Sequence, residues 1–169
     1  TMQEMFRNCT LLEYVNLKNF DTSKVVSMKH LFNGCSSIKE LDLSNFETSK
    51  VTNMAQMFNG LGQIKTLDLS NFNTSKVTDM YGMFINCSSL EVLDISNFDT
   101  SLLGSTSSMF SNCTSLKELN VSSFDTSNVT NMESMFINCS SLTKLDVSNF
   151  DTSLVKNMKN MFNGCSSIE

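Results

Sequence analysis

The sequence predicts an α/β repeat solenoid: one array, with parallel strands stacked on one face and short helices on the other. Three observations carry this. All thirteen Phe fall in two series with a spacing of 26 residues: Phe6, Phe32, Phe58, Phe84, Phe110, Phe136 and Phe162, then Phe20, Phe46, Phe72, Phe98, Phe124 and Phe150. Each unit contains an apolar alternation of period two, then a polar stretch, then apolar residues at helical spacing. A fixed period of this length marks stacked units that each contact only their neighbours. The 169 residues then make a single array, 1–169, of about six and a half units.

The strand comes first. Leu12, Ile38, Ile64, Leu90, Leu116, Leu142 and Ile168 open the units, and the fourth and sixth positions are apolar too, as in Leu67 and Leu69 or Leu93 and Ile95. That alternation describes a short strand with one face buried. A polar turn of the type Ser-Asn-Phe-Asp-Thr-Ser follows. Val51, Met54, Met57, Phe58 and Leu61 then suit one stripe of a helix of two to three turns. Thr52, Thr78 and Thr130 stand where a hydroxyl can cap its start. Asn8, Gly34, Gly60, Asn86, Asn112, Asn138 and Gly164 stand where a left-handed residue can end it. The unit containing Leu102, Leu103, Gly104, Ser105 and Thr106 departs from the pattern: Thr106 interrupts the Met column and Gly104 weakens the helix start. Neither terminus carries a polar capping unit, which suggests a stretch of a longer array, or else coils that meet end to end between copies.

The repeat unit resembles a known class. The run from Cys139 through Ser-Ser-Leu-Thr-Lys-Leu-Asp-Val-Ser-Asn-Phe-Asp-Thr-Ser, followed by Asn-Met-Lys-Asn-Met-Phe-Asn-Gly-Cys165, is similar to the 26-residue class of BspA-like bacterial surface-protein repeats. These belong with the Treponema-type leucine-rich repeats, and the likeness covers essentially the whole chain. It implies a right-handed βα superhelix of the leucine-rich-repeat type on a secreted or cell-wall protein. It also implies adhesion to protein or glycan on host or neighbouring cells. The family brings no catalytic residues and no fixed binding motif, so the fold transfers and the ligand does not.

Composition narrows the function classes. A net charge of −5 disfavours nucleic acid and anionic membranes, and no apolar run is long enough to span a bilayer. No leader opens the chain, so the extracellular expectation rests on the resemblance alone. Six Cys form one column with Leu61 in the third unit, a pattern that reads as buried free thiols; a disulfide ladder or metal site is the competing account. The twelve Met, confined to two columns, are core filler. The Thr column, Thr22 to Thr152, is expected to close turns by bonding backbone; an exposed flat row would instead order water. His30 is the only His and has no Ser or Cys partner, so no catalytic residues, metal ligands or cofactors are expected.

What remains is the outward face of the strands. Asp42, Asp68, Asp94 and Asp146 form an acidic row, beside Tyr14 and Val92. They are the candidate partner-binding residues; the competing account is a solvated acidic stripe. The expected function is a non-enzymatic binding module, and the alternative a structural spacer or a self-assembling filament.

Overall fold

In the computed structural model, which describes residues 1–168, the chain winds into a stack of coils that places equivalent residues 26 apart next to one another. The strand face is sparsely paired. Strand β1 (Thr66–Leu67) lies parallel to β2 (Val92–Leu93), with Thr66 opposite Val92 and Leu67 opposite Leu93. A single bridge, Glu118 to Lys144, continues the row further along. The alternation holds throughout the middle coils: Leu67, Leu69, Leu93, Ile95, Leu119 and Val121 are buried, while Asp68, Asp94 and Asn120 between them are exposed.

The expected helices do not form: among the described residues the opposite face is built of turns. The stretch from Met28 to Cys35 shows why. The amides of Met28, His30, Phe32 and Gly34 all donate to the next coil, at the carbonyls of Asn53, Ala55, Met57 and Asn59. The carbonyls of Ser27, Lys29, Leu31 and Asn33 accept from the preceding coil, at Met2, Glu4, Phe6 and Asn8. Every second peptide plane therefore stands along the stack and bridges coils. The intervening amides close local turns, with Leu31 donating to Met28 and Cys35 to Phe32.

An α-helix would spend all these groups within one coil; here half serve the neighbours. Turning the planes requires left-handed backbone twice per coil. His30 and Gly34 have φ of 56° and 77°, each the third residue of a type II turn. The Gly/Asn column is left-handed, as expected, but it closes a turn and not a helix. The residues four earlier, including Gln56, Gly82, Ser108 and Ser134, are left-handed as well. Nor do the Thr52 and Thr78 hydroxyls cap helices; they donate to Val26 and Thr52 carbonyls on the preceding coil.

One core runs the length of the stack. The rings of Phe32, Phe58, Phe84, Phe110 and Phe136 are buried, and successive rings lie nearly parallel with centroids 5.6–6.2 Å apart. That spacing is offset stacking, worth about 0.5–1.5 kcal/mol per pair beyond burial. Phe46, Phe72 and Phe98 are buried in the second Phe column. The Met columns fill the space between, with Met54, Met57, Met80 and Met83 fully enclosed.

Candidate binding face

Three side-chain columns hold the coils in register and so fix the outward face. Thr48 is buried; its hydroxyl donates to the Asn73 carbonyl at 3.0 Å and accepts the Asn73 amide at 2.7 Å. Thr22 and Thr74 do the same to Glu47 and Asp99. These hydroxyls bond the following coil, not their own turn, and their burial removes the exposed Thr row that would order water. The Asn column works in the opposite direction. Asn71 Nδ2 donates to the Leu43 and Phe46 carbonyls at 3.0 and 2.8 Å, and Asn97 and Asn149 repeat the pattern. Nothing in the sequence reading assigned this role, although the unbroken spacing of Asn45, Asn71 and Asn97 was its visible sign.

The thiols form the third column. Cys87, Cys113 and Cys139 are buried and free, and each S–H donates to a carbonyl of the preceding coil: Phe58, Phe84 and Phe110 at 3.1–3.2 Å. Burial pushes the Cys35 thiol up to about 11 and those of Cys87 and Cys139 to about 12. Burial raises Cys113 too, with Cys87 and Cys139 on either side adding to the effect. Such thiols stay protonated and unreactive. Cys9 is exposed and Cys165 half-buried, so the buried-thiol expectation describes the inner coils and not the outer two.

On the strand face the six candidate residues are all exposed, Tyr14 by 70% and Val92 by 62%. The aspartates are not free pendants. Asp68 Oδ1 accepts the Ser70 amide at 3.0 Å, Asp94 the Ser96 amide at 2.9 Å, and Asp146 the Ser148 amide at 2.9 Å. Asp42 accepts both the hydroxyl and the amide of Ser44. Each carboxylate thus turns the chain out of its strand. These bonds hold the four carboxyls below the usual carboxylate range: at Asp42 the Ser44 hydroxyl leads, at the others the backbone amide. One oxygen of each is committed locally, and the row stays ionised.

The structure brings three of the six together. Val92, Asp94 and Asp146 line an open groove of about 520 Å³ with Glu118, Asn120 and Lys144. Asp42 and Asp68 lie on earlier coils and Tyr14 near the start of the stack; none of them lines it. The rim charges pair across coils elsewhere, Lys39 with Glu13 at 3.5 Å and Lys65 with Glu91 at 3.2 Å. Among the described residues no three His, Cys, Asp or Glu side chains are placed to hold a metal ion.

Stacked coils with inward-facing Leu, Phe and Cys columns and an outward strand row define a leucine-rich-repeat solenoid. The crystal structure of a leucine-rich-repeat protein from T. pallidum (TpLRR) shares the fold, with a TM-score of 0.64 at 20% identity over 99% of this chain and 70% of that one. This bears out the resemblance to Treponema-type repeats at the level of fold. A leucine-rich-repeat protein from Eubacterium ventriosum aligns at 16% identity and a TM-score of 0.44, over 79% of this chain and 38% of that one. The chain matches the family described as "Mycoplasma protein of unknown function, DUF285" over residues 1–118 and again over 88–169, and it belongs to that family. A comparison with curated proteins gives no match.

Proposed function

We propose that this chain is a non-enzymatic recognition module displayed outside the cell, adhesin-like, which holds a protein or glycan partner against its strand face. The observation that carries this reading is the groove at Val92, Asp94 and Asp146. It sets an exposed apolar side chain among carboxylates, an amide and an ammonium group on a frame locked by the Thr and Asn columns. Repeat solenoids present extended surfaces of this kind, and pre-organisation lowers the entropic cost of binding.

The test is a binding screen against matrix proteins and glycans, repeated with Val92→Ala and with Asp94→Ala/Asp146→Ala. Truncating a central contact should weaken a captured ligand by about tenfold or more, the cost of roughly 1.4 kcal/mol expected of an interface anchor. A ligand held equally by all variants sinks the strand face as the site. A chain that captures nothing and is indifferent to these changes is a spacer.

A further inference from the structure

The turn face has one irregular seam. The amides of Met28, Met54, Thr106 and Met132 donate to the following coil, at Asn53, Asp79, Asn131 and Asn157. Met80 belongs to the same series and is fully buried, yet its amide has no acceptor among the described residues, and the Ser105 carbonyl it should meet receives nothing. The neighbouring series fails at the same seam. Thr52 and Thr130 each send an amide and a hydroxyl back to the preceding coil, at Val26 and Gly104. Gly104 has no hydroxyl to offer, and its amide does not reach Thr78. The third sign is Thr106, directly after Met80 in the Met column. It is fully enclosed, and its Oγ1 is the buried side-chain oxygen left without a partner among the described residues.

The geometry points to a hydration site built into this seam, where ordered water joins the Met80 amide, the Thr106 hydroxyl and the Ser105 carbonyl in place of the missing direct bonds. The chemistry of the set selects water. An amide donor, a carbonyl acceptor and a hydroxyl able to do either match the two to four partners a buried water takes. An anion would oppose the carbonyl and a cation the amide. A buried donor and hydroxyl left unpaired carry the full cost of their lost hydration, so a partner is strongly favoured. Gly104, two residues before Thr106, is exposed and a Cβ there would meet nothing within 4 Å, so the seam borders solvent at its outer edge. A water-mediated rung exchanges more readily than a direct one, so the Met80 amide should exchange faster than its column neighbour Met54.

Thr106→Val keeps the shape and removes the hydroxyl; Thr106→Ser keeps the hydroxyl. A hydrated seam predicts that Thr106→Val lowers Tm and speeds hydrogen exchange at the Met80 amide by about tenfold, while Thr106→Ser leaves that exchange near wild type. If the hydroxyl is simply an orphan, Thr106→Val raises Tm or leaves it unchanged, and the inference is overturned. Should the valine variant fail to fold, water-to-amide magnetisation transfer in the wild-type protein decides. A long-lived water signal at Met80 supports the site; its absence, or exchange at Met80 as slow as at Met54, removes it.

Discussion

At the residue scale, stability rests on small polar side chains that serve a neighbouring coil. Thr48 is the clearest case, because one buried hydroxyl both donates to and accepts from Asn73. Thr48→Val keeps the volume and loses both bonds, and should cost about 1–3 kcal/mol in urea denaturation. The Asn column gives the opposite test. Where Asn97 reaches the Leu69 and Phe72 carbonyls at 3.1 and 2.8 Å, and that of Ser70 at 3.3 Å, Ser123 makes a single long bond of 3.4 Å to Ile95. Ser123→Asn should restore the second bond and stabilise by about 1 kcal/mol, seen as a raised urea midpoint with an unchanged slope. A loss of stability would mean that the fifth coil has repacked around serine.

At the scale of elements, the turn face replaces the helix that apolar spacing suggested. The reason is visible in particular residues. Met54, Met57 and Phe58 are spaced as a helical stripe, and all three are buried, so the inward set was legible. The backbone conformation was not, because Gln56 and Ser134 accept φ of 52° and 56° without being residues that announce it. Gly82 and Asn160 in that column hinted at a left-handed position. Strands fared likewise: the alternation at Leu67 and Leu69 was plain, but among the described residues pairing on that face is confined to Thr66–Leu67 with Val92–Leu93 and to Glu118 with Lys144. The candidate face was legible as exposed positions, whereas the Asp–Ser turns and the groove joining Val92 to Asp146 required the coil geometry. The Gly column supplies a direct test. Gly60 has φ of 80° and a Cβ there would sit 3.4 Å from the Gly34 backbone. Gly60→Ala should therefore destabilise by about 1–2 kcal/mol, and a neutral result in thermal melts would show that this turn can relax.

At the scale of the whole molecule, the thiol column ties stability to alkaline pH. Buried thiols in the folded chain ionise at about 11 for Cys35 and about 12 for Cys87 and Cys139, against an ordinary 9.0. The raised values favour the folded state fully below pH 9. Between about 9 and 12 the unfolded chain sheds protons that the folded chain retains, so stability falls. Urea midpoints measured under reducing conditions at pH 8 and pH 10.5 should differ accordingly, and Cys87→Val should lessen the difference. A pH-independent midpoint would place these thiols in water. The standing peptide planes have an electrical consequence as well. The units joining Ser27 to Met28, Lys29 to His30, Leu31 to Phe32 and Asn33 to Gly34 all aim hydrogen toward the next coil and oxygen toward the previous one. Each contributes a dipole of about 3.5 D, and the fewer amides that point back, among them the series Thr52, Thr78, Thr130 and Lys156 together with Glu91, offset only part of the sum. The molecule is thus a polar rod whose positive pole faces its higher-numbered coils, and it should align in an applied field along its winding axis.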